Sequence, residues 1–203
     1  MSRLIYIVRH GNTFDKGDVV TRVGGRTDLD LSMSGRAQAD ALAIHFKDKV
    51  TSFANAYCSP LGRTSQTADA ILSAQTKAPT LETLEFLREV DYGPDENKPE
   101  DEVVARIGED ALKAWETEAV PPPGWRINPA QLVNDWIELF HRLGAERNTD
   151  PVLLVTSNGI ARFALSACVH SGEHDLKLKT GAYGVIRLHP DQSPALVAWN
   201  IRP

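Results

Sequence analysis

The chain alternates between short apolar runs and longer segments in which apolar residues recur every three or four positions. Residues 4–8 and 151–156 form the most continuous apolar runs, a pattern typical of strands buried on both faces of a sheet. Shorter apolar segments predict further strands at 54–58, 80–87, 184–188 and 196–201. Strand candidates are therefore distributed along the whole chain rather than confined to one part of it.

Helices are predicted between the strands wherever a capping residue precedes an apolar stripe. A serine or asparagine side chain can accept the first free N–H groups of a helix, and proline suits its first position. The third predicted helix runs without a break to Trp115, and the last reaches about residue 169. The predicted starts are Ser32 or Ser34, Ser59–Pro60, Pro99, Asn128–Pro129 and Ser157.

Strands that alternate with helices predict a three-layer α/β/α sandwich around a mostly parallel central sheet. A chain of 203 residues is long enough for one full core, so we expect a single domain over residues 1–203. The periodicity changes at about 91–128, between the break at Asp91–Pro94 and the stiff connector Pro121–Gly124. We interpret 91–128 as a helical insertion.

Composition and charge argue against several classes of binding partner. A formal net charge of −5 argues against general attraction to nucleic acid. The opening apolar run is too short to span a membrane and lacks the cleavage region of a signal peptide, so no membrane partner is expected. Two cysteines suggest no disulfide framework, which favours a cytoplasmic location. Because the six histidines lack paired ligand spacing, we expect no metal and no other cofactor.

Polar residues follow four of the predicted strands. They are Arg9–His10, Arg63, Glu89 and Asn158, and the carboxyl ends of parallel strands meet at one edge of a sheet, where ligands bind. Two arginines beside a helix N-terminus suit a phosphate dianion. His10 could then attack phosphorus while Glu89 protonates the departing oxygen. Arg9-His10-Gly11 is common by chance, and on its own it favours a plain polar strand end.

Longer segments resemble a known family. Arg9–Thr13, Ser59–Ala68 and Leu87–Gly93 together resemble the histidine phosphatase superfamily, which includes cofactor-dependent phosphoglycerate mutase and fructose-2,6-bisphosphatase. Residues 24–39 and 151–162 are also similar to that family. The resemblance implies a phosphoglycerate mutase-like fold and a phosphohistidine on His10. It also implies that Arg9 and Arg63 bind the phosphate and that Glu89 is the general acid and base.

The sequence departs from the family at three positions. Asn158 stands where the family has a second histidine, and it keeps a hydrogen-bond donor of similar reach without the charge. Asn12 replaces an acidic residue or glutamine. Lys16 lies near a phosphate-binding asparagine of the mutases; one hypothesis is that it supplies the missing charge, and a solvated surface lysine is the simpler interpretation. The candidate phosphate- and substrate-binding residues are Arg9, Gly11, Asn12, Lys16, Arg63, Asn158 and Gly159.

The expected function is hydrolysis of a phosphate monoester, either a small metabolite or a phosphoprotein, through His10. A phosphoglycerate mutase-type phosphotransferase is the nearest alternative. Mutases of the family usually have a longer insertion and a C-terminal tail that closes the pocket against water, so the short chain favours hydrolysis. A weakly active or non-catalytic phosphate-binding module is the second alternative, because of Asn158. The partner is expected to be a phosphorylated small molecule, and no motif indicates which one or the oligomeric state.

Overall fold

A computed structural model describes residues 2–170 and 175–203. Their strands form one six-stranded sheet in the order β3-β2-β4-β1-β5-β6. The strands are β1 (Arg3–Arg9), β2 (Asn55–Cys58), β3 (Leu81–Thr83), β4 (Val152–Thr156), β5 (Tyr183–His189) and β6 (Gln192–Ile201). The helices are α1 (Met33–Lys49), α2 (Gly62–Ser73), α3 (Glu100–Ile107), α4 (Glu109–Glu118), α5 (Pro129–Ala145) and α6 (Asn158–Ser166).

The sheet is mostly parallel. Strands β3, β2, β4 and β1 pair in parallel, as expected when a helix connects each strand to the next. Strand β5 is antiparallel to β1, and the final hairpin places β6 antiparallel to β5 at the edge. The predicted α/β class with a mostly parallel central sheet is confirmed.

Both faces of the sheet are covered, and the alternation along β1 shows how. Ile5 and Ile7 belong to the core cluster that contains the buried faces of α5 and α6. Tyr6 and Val8 point to the other face and belong to the cluster formed with α1 and α2. Since successive side chains of a strand project to opposite faces, a continuous apolar run is what a three-layer arrangement requires.

Residues 91–128 pack onto the α5–α6 face. They contain a 3₁₀ turn (Gly93–Asp95) followed by α3 and α4. Trp115 and Trp125 are buried in the same cluster as α6, and their rings meet edge to face at 5.3 Å. The indole N–H of Trp125 donates to Asp95 at 2.7 Å, which satisfies a buried carboxylate. The segment is therefore tied to the core beside the carboxyl edge of the sheet.

The helix predicted to start at Ser59–Pro60 begins later, at Gly62. The Ser59 hydroxyl instead accepts the N–H of Leu61 at 3.2 Å and lies 2.8 Å from the Thr64 hydroxyl. The serine thus caps the tight turn before the helix, and Pro60 lies within that turn.

Three further boundaries were predicted wrongly. The helix expected from Pro99 to Trp115 is two helices, because Gly108 at φ +84° ends α3 and precedes α4. The strand expected at 80–87 is only Leu81–Thr83, after which the chain turns into a 3₁₀ segment (Glu85–Leu87) that buries Leu87. The last helix stops at Ser166.

No helix within residues 2–170 and 175–203 is both long and apolar enough to cross a membrane. The same residues contain no group of three or more His, Cys, Asp or Glu side chains that could hold a metal ion.

Candidate active site

The carboxyl ends of β1 and β4 lie side by side and bring the predicted residues together. Arg9 is in register with Thr156, and the His10 N–H donates to the Thr156 carbonyl at 3.1 Å. The Thr156 hydroxyl donates to the Leu87 carbonyl at 2.7 Å, which anchors the segment leading to Glu89. These ends surround a cavity of about 480 Å³ whose lining includes Arg9, His10, Asn12, Arg63, Glu89 and Asn158.

His10 is buried in a neutral form with one nitrogen available. Its Nδ1 lies 2.7 Å from the Gly11 carbonyl, which can only accept, so Nδ1 carries the proton. Nε2 therefore has its lone pair and accepts from Nε of Arg63 at 3.2 Å. Burial and the charges of Arg63 and Arg9 hold the pKa of His10 well below its ordinary value. Nε2 can act as a nucleophile because it is unprotonated near neutral pH.

All three nitrogens of the Arg63 guanidinium donate hydrogen bonds within the protein. Besides His10, it donates from Nη1 to the Thr27 carbonyl at 2.9 Å and from Nη2 to the Gly24 carbonyl at 3.2 Å. The predicted loop that contains these carbonyls therefore wraps the guanidinium. Its planar donor set is fixed before any ligand binds, which lowers the cost of binding an oxyanion.

The cavity holds three arginines that make no direct ion pair within the described part of the chain. Arg63 and Arg162 are almost fully buried and Arg9 is largely so, yet none of the three pairs directly with a carboxylate of the described residues. Burial lowers the pKa of each arginine. Nε of Arg9 is buried without a hydrogen-bond partner. Buried charge without a direct partner is costly, and an anion bound beside these arginines would offset that cost.

Glu89 is held by two backbone N–H groups. Oε1 accepts from Val90 at 2.9 Å, and Oε2 accepts from Gly159, near the N-terminus of α6, at 3.2 Å. A β-carbon on Gly159 would lie 2.1 Å from Oε1. Gly159 thus supports Glu89 by leaving room for its carboxylate.

The side chains of Asn158 and Arg9 both form hydrogen bonds to the backbone of Leu178. The Asn158 amide oxygen accepts the N–H of Leu178 at 2.8 Å, while Nη1 of Arg9 donates to the Leu178 carbonyl at 2.9 Å. Asn158 therefore lines the cavity and also helps to hold the chain against which Arg9 is oriented.

The family model of the histidine phosphatase superfamily (branch 1) matches residues 5–202, almost the full chain. The chain belongs to the histidine phosphatase superfamily. A 2,3-bisphosphoglycerate-dependent phosphoglycerate mutase of Brucella melitensis is 30% identical over 202 residues, covering 96% of this chain and 97% of the relative.

Solved structures share this superfamily fold. A phosphoglycerate mutase from Bacillus anthracis superposes with a TM-score of 0.80 at 22% identity, covering 98% of this chain and 93% of the other. A mycobacterial glucosyl-3-phosphoglycerate phosphatase, in a complex with VO₃, gives a TM-score of 0.78 at 20% identity and 98% coverage of both chains. The phosphoglycerate mutase-like fold expected from the sequence is confirmed.

Three predicted binding residues do not line the cavity: Gly159, which contacts Glu89 from behind it, Lys16 and Gly11. Lys16 is exposed in the loop after β1 and is not part of the cavity lining, so the geometry gives no support to the idea that it replaces the missing histidine. Gly11 is buried behind His10, where its N–H donates to Thr67 and a β-carbon would lie 2.3 Å from the Gly35 carbonyl. Its role is to allow α1 to approach β1.

Asn12 does line the cavity, and its side chain donates to the Ser34 hydroxyl at 3.1 Å. Its own N–H donates to the side chain of Gln38 at 2.8 Å. These bonds place Asn12 beside the N-terminal turn of α1.

Sequence reasoning missed Arg162. This arginine lines the cavity together with Arg9, Arg63 and Arg22. A signal was available. Arg162 follows Asn158 by four residues, so both lie on one face of α6, and it is the only charged residue in that helix. A lone arginine in an otherwise apolar helix indicates a buried partner or a ligand.

Proposed function

We propose that this protein is a phosphatase that hydrolyses a phosphate monoester through a phosphohistidine on His10. The observation that supports this most directly is the state of His10. Its Nε2 is unprotonated, lies against Arg63 and faces a cavity whose lining includes four arginines. A phosphate drawn in by the arginines would meet a nucleophile already in its reactive form.

Two steps follow from this arrangement. In the first, Nε2 of His10 forms a bond to phosphorus as the phosphorus–oxygen bond to the alcohol breaks, and protonated Glu89 gives its proton to the departing oxygen. In the second, the Glu89 carboxylate takes a proton from water as the water oxygen attacks the phosphohistidine, releasing phosphate and free His10. Arg9 and Arg63 bind the phosphoryl oxygens in both steps.

Phosphotransfer between positions of one substrate is the second candidate, because the Brucella relative is named as a mutase. That relative is matched over 97% of its length, so the short chain does not separate a mutase from a phosphatase. Access of water does favour hydrolysis. The exposed side chains of Val20, Glu116 and Lys177 line the cavity, which is therefore open to solvent.

The test supplies p-nitrophenyl phosphate and 3-phosphoglycerate in ¹⁸O-labelled water and measures the label in the released phosphate. Rapid quenching then separates acid-labile from acid-stable phosphate bound to the protein. A phosphatase releases labelled phosphate and accumulates acid-labile phosphohistidine, both abolished in His10→Ala and retained in His141→Ala, which changes an exposed histidine of α5. Isomerised 3-phosphoglycerate without labelled phosphate would establish the mutase instead. Phosphate binding with neither product would establish a non-catalytic module.

A further inference from the structure

The histidine of the cavity and the arginine beside it belong to one closed ring of hydrogen bonds. Nε of Arg63 donates to Nε2 of His10 at 3.2 Å, and Nδ1 of His10 donates to the Gly11 carbonyl at 2.7 Å. The Gly11 N–H donates to the Thr67 hydroxyl at 3.2 Å, and this hydroxyl donates to the Arg63 carbonyl at 2.8 Å. The ring therefore starts and ends at Arg63.

All the bonds of this ring run in the same direction. Each member donates to the next member and accepts from the one before it, and all four residues are buried. Hydrogen bonds that follow one another in this way polarise each other, and they are stronger in a buried site than in water. Loss of one bond is therefore expected to weaken the contacts that hold the imidazole.

Thr67 is the member of the ring that joins two distant segments. A threonine in a helix commonly donates its hydroxyl to the carbonyl four residues earlier, and the bond from Thr67 to Arg63 within α2 is of this kind. The bond that the hydroxyl accepts from Gly11 is not local, because 56 residues separate the two. Among the described residues, Thr67 is the acceptor that the buried Gly11 N–H has, and a buried N–H without an acceptor is costly.

We propose that Thr67 is a positioning residue of the site. Its single hydroxyl holds the Gly11 peptide, whose carbonyl selects the reactive tautomer of His10, and it also holds the backbone of Arg63, whose guanidinium lies against Nε2. Thr67 does not line the cavity, so it acts through these neighbours and not on the substrate. The inference rests on the proposed role of His10 as the nucleophile and adds a residue that keeps the nucleophile reactive.

The experiment compares two substitutions of the same side chain. Valine has nearly the shape of threonine but lacks the hydroxyl, so Thr67→Val leaves the Gly11 N–H buried without an acceptor, and the peptide is expected to turn and shift His10. A shift of about 1 Å at a reacting group costs on the order of 100-fold in rate. Formation of phosphohistidine from p-nitrophenyl phosphate, measured by rapid quenching, should slow by about 10- to 100-fold in Thr67→Val. Thr67→Ser keeps the hydroxyl and should restore most of the rate.

A second measurement does not depend on activity. The ¹⁵N resonances of the imidazole report which ring nitrogen of His10 carries the proton, and they are assigned by their absence from His10→Ala. The wild-type protein should show a protonated Nδ1 and an unprotonated Nε2. Thr67→Val should also populate the tautomer with the proton on Nε2, because the Gly11 carbonyl and Arg63, which select the present tautomer, are both held through the lost hydroxyl.

Thr64→Val is the matched control, since Thr64 is a second buried threonine of α2. Its hydroxyl donates to the Leu61 carbonyl at 2.7 Å and forms no bond to Gly11, so this variant should lose stability but keep the wild-type tautomer and rate. A wild-type tautomer in Thr67→Val would overturn the inference, as would a loss of rate as large in Thr67→Ser or in Thr64→Val. If the wild-type protein forms no phosphohistidine, the phosphatase proposal fails and the tautomers still decide whether Thr67 positions His10.

Discussion

The contact between Gly159 and Glu89 makes the acid and base role testable by adding a single methyl group. In Gly159→Ala the new β-carbon would lie 2.1 Å from Oε1 of Glu89 and 2.8 Å from Cγ2 of Val90. The carbon and Oε1 would have to separate by about 0.9 Å to reach the 3.0 Å below which real contacts are essentially never seen. The backbone there is helical, so alanine itself fits the chain. The strain falls on the carboxylate, which would also lose its bond to the Gly159 N–H.

A displacement of about 1 Å at a catalytic group costs on the order of 100-fold in rate. We expect that loss in kcat/KM for alkyl phosphates, whose alkoxide must be protonated as it leaves. This quantity reports the steps up to the phosphohistidine, so it excludes the later role of Glu89 as a base. We expect a much smaller loss for p-nitrophenyl phosphate, because nitrophenolate departs without a proton. Initial rates on the two substrates, with phosphohistidine quantified after rapid quenching, measure the difference.

Gly144→Ala is the matched control, since its β-carbon would meet only the Leu188 side chain at 3.9 Å, an ordinary contact. It should leave both rates unchanged. Equal losses of kcat/KM on alkyl and nitrophenyl phosphates in Gly159→Ala would refute the acid role of Glu89, and so would values equal to those of Gly144→Ala.

Three further outcomes are expected. Below its pKa, His10 is protonated and cannot attack phosphorus. Because burial and two arginines lower that pKa, kcat/KM should fall only below about pH 6.5. In Arg63→Gln this fall should move to higher pH, because the variant removes one of the positive charges that lower the pKa of His10. Arg3→Met should lower the free energy of unfolding by about 3 kcal/mol in urea titrations, with kcat unchanged, because a buried guanidinium that donates to two carbonyls and pairs with Glu146 is lost. Lys16→Ala should leave kcat/KM within about twofold of wild type, as should Lys47→Ala; a loss confined to Lys16→Ala would restore that lysine to the site.

The role of Asn158 is clearer in the structure than in the sequence. Its amide oxygen is occupied by the Leu178 N–H, so the residue acts as an anchor for the segment that also meets Arg9. The charge that a histidine would bring to this face of α6 is present one turn later, in Arg162. Substituting Asn158 therefore changes both the lining of the cavity and the support of Arg9.

The sequence alone determined the sheet and the positions of the main chemical groups. Continuous apolar runs of the kind seen in β1 and β4 are stable only when both faces are covered, so they predict a layered fold without further information. The ends of the predicted strands then place His10, Arg63 and Glu89 at one edge, although Glu89 reaches it through the 3₁₀ segment Glu85–Leu87 and not directly from a strand. Those three follow from local pattern and chain direction, which is why they were predicted together.

The tertiary structure decided which neighbours these groups have. Gly159 supports Glu89 across 70 residues, and Trp115 orients Arg162 across 47. Such contacts depend on how residues 91–128 and α6 pack against the sheet, and local periodicity carries no information about packing between distant segments. Lys16 lies outside the cavity for the same reason, since the path of a loop is set by what it packs against.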